Sequence, residues 1–165
     1  MSSNSLAAEE NFSGSDISQD VKIKLQLASQ NWENTVLSEQ YINEALALAP
    51  NNLDVLIGAY RFFFYKGKTD IALGISEKVL EIVQQRKNLP QAWEQLQSIL
   101  LTQKDDSLIR LYLNAYAAKG FLLAKIGRIE EAKMITTRVK AIDENRESCA
   151  STVFDVLTHS PDEDD

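Results

Sequence analysis

The sequence predicts an all-α protein, a right-handed α-solenoid of about three helix pairs, and three observations carry that expectation. Gly67-Lys68-Thr69-Asp70-Ile71-Ala72 and Gly127-Arg128-Ile129-Glu130-Glu131-Ala132 write the same turn twice, a glycine closing one apolar helix and an alanine opening the packed face of the next. A weaker third copy lies upstream and ends in Ala45-Leu46-Ala47-Leu48-Ala49-Pro50-Asn51-Asn52. The rest of the chain reads at helical period and contains only three prolines and six glycines in 165 residues, which disfavours a sheet. Helix–turn–helix units repeated along a chain cannot each bury their own apolar face, so they stack. Such a stack offers a surface for holding a partner and argues against a chemical centre.

Residues 1–17 are rich in Ser, Asn, Glu and Ala without a periodic apolar face, so a disordered segment is expected there. A first helix is expected from about Ile17 to Asn31, with Ile23, Leu25, Leu27 and Ala28 as its apolar side. The second, about Glu33 to Ala49, carries Leu37, Tyr41, Ala45 and Leu48 on one stripe. Pro50 stops it, and Asn51 or Asn52 can cap the next helix. The third, about Leu53 to Lys66, contains Tyr60-Arg61-Phe62-Phe63-Phe64-Tyr65. At 100° per residue those aromatics cannot all face one neighbour, so an inner helix touched on two sides is expected.

Helix four, about Thr69 to Gln85, has Ala72, Ile75, Val79 and Ile82 as its stripe. Asn88-Leu89-Pro90 then breaks the rhythm, with Pro90 suited to the first turn of a short helix ending near Thr102 and packing Trp93, Leu96 and Leu100. Asp105 and Asp106 are placed to cap a long helix from about Ser107 to Ile126. Leu108, Ile109, Leu111 and Tyr112 near its start stand beyond the stacked core unless a neighbour or a second copy covers them. Helix seven, about Ile129 to Ile142, shows Ala132, Ile135 and Val139, and a last helix, about 146–157, reads as a cap. Residues 159–165 form an acidic tail expected to be flexible.

Net charge is −7 with a sequence pI near 4.8, which disfavours nucleic acid and an anionic membrane surface as the main partner. The apolar runs are shorter than the roughly 18–20 residues that cross a bilayer, so no membrane insertion is expected. Residues 1–17 carry neither a basic start nor an apolar block of the secretory kind, and the single cysteine, Cys149, suits a reducing compartment. A cytoplasmic location is therefore expected. The lone histidine, His159, and the lone cysteine supply no zinc set and no histidine-based triad. Neither GxxxxGK[ST] nor GxGxxG occurs. The chain is expected to be non-enzymatic, with no cofactor and no metal.

Residues 53–86 carry Leu56, Tyr60, Phe63 and Tyr65 before the turn at Gly67, then Ala72 and Lys78-Val79-Leu80-Glu81. Residues 113–146 carry Tyr116, Gly120 and Leu123 before Gly127, then Ala132. These stretches resemble the tetratricopeptide repeat (TPR) family, whose unit of about 34 residues pairs a helix A with a helix B. Residues 19–52 match mainly in their second half, with Glu33 for the turn glycine and Ser38 for the helix-B alanine. Tyr60 stands where the close-crossing glycine is usual, and residues 87–112 interrupt the register. The resemblance implies a TPR-like domain over 18–158, made of repeats at about 19–52, 53–86 and 113–146 with 87–112 inserted.

In proteins of this kind helix-A side chains line a concave groove that holds a peptide or amphipathic helix of a partner. Carried over by position, the lining is Asp54, Ile57, Arg61, Phe64 and Tyr65, with Asn114, Ala117, Phe121, Ala124 and Lys125. Core packing is the competing role for Phe64, Tyr65 and Phe121. Members that clamp a chaperone's C-terminal carboxylate need polar residues where Ile23, Leu27 and Ile57 stand here, so that subclass is set aside. Size, repeat number and acidity also resemble the class II chaperones of type III secretion, a resemblance of architecture alone. A third expectation is a self-associating scaffold, for which a homodimer is the simplest form.

Overall fold

The computed structural model describes residues 17–143, and within them the protein is all-helical, with seven α-helices and no strand. They are α1 (Gln19–Gln30), α2 (Thr35–Leu48), α3 (Leu53–Tyr65), α4 (Thr69–Lys87), α5 (Trp93–Thr102), α6 (Ser107–Lys125) and α7 (Ile129–Ile142). The segments expected to be disordered, to cap the stack and to form the acidic tail lie outside the described residues, as do Cys149 and His159. Pro90 precedes α5 instead of occupying its first turn, because the helix begins only after Ala92.

Side-chain caps set most of the helix starts. Ser18 accepts from the Val21 N–H, Asn34 from Leu37, Asn52 from Val55, and Asp106 from both Leu108 and Ile109. Each satisfies a backbone donor that has no partner inside its own helix. The two glycine turns fold alike. Gly67 and Gly127 have φ of 76° and 91°, a left-handed region that costs glycine little. Lys68 N–H donates to the Phe63 carbonyl at 2.8 Å, and Arg128 N–H to Leu123 at 2.9 Å. Gly67 N–H bonds to Phe64 and Gly127 N–H to Ala124, both at 3.1 Å. This paired pattern ends a helix while satisfying its last carbonyls. Asn88, with φ of 51°, ends α4 in the same left-handed conformation.

Packing follows chain order: α1 lies on α2, α2 on α3, α3 on α4, and α6 on α7. The exception is α6, which packs on α4 across the whole of α5, while α5 lies against α7. One apolar core runs from Ala28 to Ile142 through all these contacts, and a small satellite of Val21, Ala45 and Val55 closes the α1 end. Phe62 and Phe63 are core residues, Phe64 is half-buried and Tyr65 exposed, so the aromatic run of α3 is divided among its neighbours.

Leu108, Ile109, Leu111 and Tyr112, expected to stand beyond the stacked core unless a neighbour or a second copy covers them, are covered by a neighbouring helix of the same chain. Ile109, Leu111 and Tyr112 are buried and Leu108 packs on the same core, because α6 lies on α4 where the insertion ends. Beside it Trp93 of α5 meets Tyr116, the Arg138 guanidinium lies 4.5 Å from the Trp93 ring, and Arg138 donates to the Tyr116 hydroxyl at 3.1 Å. Burial, with Tyr116 close by, pushes the Tyr112 phenol up to about 12.

The closest approach is at Gly120. A Cβ there would lie 3.1 Å from both Ile135 Cγ2 and Thr136 Cγ2 of α7. Gly74 on α4, in contrast, has nothing within 4 Å of the same point. Gly120→Leu is therefore expected to cost at least about 1–3 kcal/mol by overpacking, whereas Gly74→Ala gains up to about 1 kcal/mol from helix propensity. Chemical denaturation of the two variants separates them. Unchanged unfolding in Gly120→Leu would refute a close crossing of α6 and α7.

Lys87, at the end of α4, donates to Asp106 at 2.7 Å, clipping the exit of the insertion to its entrance. That hydrogen bond, helped by the Ile109 and Leu108 N–H groups, holds the Asp106 carboxyl below its usual range despite its partial burial. A lowered folded-state value means that the stabilisation is present above the unfolded carboxylate value of about 3.9 and is lost as pH falls through the folded one. Asp106→Ala should cost about 0.5–2 kcal/mol at neutral pH. The gap to the parent protein should close as the pH is taken below about 4. Thermal melts across that range check it, and a pH-independent gap would contradict it.

Candidate functional site

On α3 the positions Asp54, Arg61 and Tyr65 recur at helical spacing and share a face with Phe64. That face looks toward α1 on one side and α6 on the other. On the α1 side, Arg61, Gly58 and Phe62 join Leu25, Ala28, Ser29 and Trp32, with Ile42 behind them, around a cleft of about 270 Å³. On the α6 side the Phe64 and Phe121 rings stand 5.8 Å apart. Lys125, one turn beyond Phe121, places its ammonium 5.4 Å from that ring.

Of the nominated residues Tyr65 and Lys125 are exposed, Tyr65 at 61%, and Arg61, Phe64 and Phe121 are half-buried on the same face. Asp54, in the first turn of α3 where the helix dipole favours a carboxylate, and Asn114 and Ala124 on α6 are half-buried. Ile57 and Ala117 are corrected to core positions. Ile57 is 5% exposed and Ala117 fully covered, both within the continuous apolar core, so neither side chain is open to a partner. Ala117 sits one turn before Gly120, on the stretch of α6 that α7 approaches closely.

Sequence reasoning nominated nothing from the first helix pair, yet α1 and its turn form one wall. Trp32, between α1 and α2, packs edge-on against Phe62 at 5.5 Å. Lys66 donates to the Trp32 carbonyl at 2.6 Å, with its ammonium 4.4 Å from the indole centroid. The signal was a tryptophan placed in an otherwise polar turn, Gln30-Asn31-Trp32-Glu33-Asn34. Gly58 is a second missed residue. A Cβ there meets only Leu25 Cδ2 at 3.9 Å, so packing does not demand glycine at this mid-helix position. Its absent side chain leaves the cleft open.

Among the described residues no group of three or more His, Cys, Asp or Glu is placed to hold a metal ion. None of the described helices is long and apolar enough to cross a membrane. Aromatic rings, an open cleft and exposed cations can hold another molecule by contact and charge.

No family model matches the sequence, and no solved structure matches the fold. The chain is 35% identical over 133 residues to the "Uncharacterized 19.8 kDa protein in nifW 5′ region" of Azotobacter chroococcum mcd 1. The alignment covers 79% of this chain and 73% of that relative. At that identity and coverage, the chain belongs to the family of the Azotobacter protein.

Proposed function

We propose that this protein is a non-enzymatic binding module of TPR type. In this reading its helix pairs stack as a right-handed solenoid, and the face shared by α1, α3 and α6 holds an amphipathic segment of another protein. The observation that carries the reading is the cleft between α1 and α3. Apolar Leu25, Trp32 and Phe62 line it, Arg61 stands among them, and Gly58 keeps it open. Glycine inside a helix costs roughly 0.5–1 kcal/mol relative to alanine. At Gly58 no neighbour requires that cost, and the missing side chain leaves room in the cleft. A small apolar recess with a few polar groups is how a groove seats the anchor side chain of a docked helix.

The identical glycine turns and the close crossing at Gly120 support the TPR assignment. They supply the short A-to-B turn and the small residue at the crossing that such a pair needs. Self-association loses its original motive, since the start of α6 is covered within one chain. The chaperone reading rests on the same groove and adds no separate observation.

Gly58→Phe tests the site, because the ring enters the cleft. Gly58→Ala is the control and should be neutral or stabilising by up to about 1 kcal/mol. Both variants should keep the parent's helical circular dichroism. In pull-downs from the native host, the parent protein and Gly58→Ala should capture the same partner and Gly58→Phe should lose it. The relative's name places it in a nifW 5′ region, so the nifW product is a first prey to score. Capture that persists in Gly58→Phe would move the site away from this cleft.

A further inference from the structure

We infer that the segment held on this face is acidic: an amphipathic stretch of another protein whose apolar side enters the α1–α3 cleft and whose polar side carries Asp or Glu. The inference rests on the groove reading above and specifies its partner. Its basis is how this chain spends its cations. Acidic residues outnumber basic ones, 24 to 17, so carboxylates are available for pairing within the molecule. At the joints between helices and at the turns they are used. Lys24 meets Glu44 at 2.7 Å, Lys68 meets Glu39 at 3.5 Å, Lys119 meets Glu77 at 3.6 Å, and Arg128 meets Glu131 at 2.6 Å.

Other cations stand outside such pairs as well, Lys22, Lys78, Lys104 and Lys133 among them, but those of the α1–α3–α6 face stand beside aromatic rings. Among the described residues no carboxylate forms an ion pair with Arg61, Lys66 or Lys125. Lys66 is steadied by the Trp32 carbonyl and indole, and Lys125 by the Phe121 ring. A ring beneath an ammonium orients it without neutralising its charge, leaving the head free to receive an anion. Arg61 brings a planar fork suited to bidentate carboxylate binding. Arg61 shares the cleft with Trp32, Lys66 lies on the Trp32 ring, and Lys125 lies on Phe121, whose ring meets Phe64, so each cation has an aromatic neighbour.

Single-stranded nucleic acid also uses aromatic and basic side chains. Here a net charge of −7 opposes a polyanion at long range, whereas a short acidic segment needs only local complementarity.

The test uses the full chain and two fluorescein-labelled synthetic peptides of about 16 residues with the same Leu/Phe stripe at i, i+3, i+4 and i+7. One carries glutamate and the other lysine on its polar face, and binding is read by fluorescence anisotropy at low and high salt. The glutamate peptide is expected to bind about tenfold or more tightly than its counterpart, with an advantage that shrinks as salt is raised. Arg61→Glu combined with Lys125→Glu should reverse that preference, and Arg61→Gln with Lys125→Gln should abolish it, with helicity checked for both variants. Equal binding of the two peptides, binding of neither, or preference for lysine would overturn the inference. So would tighter binding of oligo-dT, concentration-dependent dimerisation that competes with the peptide, or binding that emerges only when residues 162–165 are removed. If the parent protein binds both peptides equally and Gly58→Phe abolishes both, the groove stands and only the acidic partner falls.

Discussion

Every helix in the described structure is too short and too one-sided to be stable alone, and α6 is where that problem is solved. It is buried against α4 on one side and α7 on the other, and its Phe121 reaches Phe64 of α3. Few residue types allow one helix to approach so many neighbours. At the tightest point Gly120 removes the side chain that would hold α7 away, and Ala115, Ala117 and Ala118 keep adjacent turns slim and buried. If that approach is lost, α7 loses its seat on α6. The candidate site inherits its geometry from this packing, since Phe64 and Lys125 are brought near one another only through the α4–α6 and α3–α6 contacts.

Much of this was legible in the residues. Gly67 and Gly127 declared two turns because helix termination in the left-handed region is chemistry that glycine does best, and their hydrogen bonds are the same pair for pair. Asn52 and Asp106 announced caps by residue type and position. Side-chain orientation was harder to read. Ile57 and Ala117 sit at positions that the resemblance assigns to the groove lining, but both belong to the continuous apolar core. The covering of Leu108, Ile109, Leu111 and Tyr112 was illegible for the same reason, because sequence spacing does not say that α4 and α6 meet across an insertion. The wall from α1 escaped notice because that pair carries the weakest repeat pattern, and its contribution lies in a turn.

The electrostatic layout separates structural from recognitional charge. Ion pairs such as Lys24–Glu44 and Lys119–Glu77 join neighbouring helices, where pairs open to solvent contribute modestly. Cations held on rings contribute differently. They keep a fixed position at little entropic cost to a later encounter, because the ring has already restrained the side chain.

The insertion around α5 also shapes how the chain reaches its fold. Contacts between consecutive helices, α1 with α2, α3 with α4 and α6 with α7, close over short stretches of chain and can form early. The α4–α6 joint must bring together segments separated by the whole of α5, so it carries the larger loop-closure cost. That joint is nonetheless the most extensive contact between any two helices among the described residues. A face whose cations come from both sides of the α4–α6 joint is held in shape by it, and an occupied groove would add a brace across it.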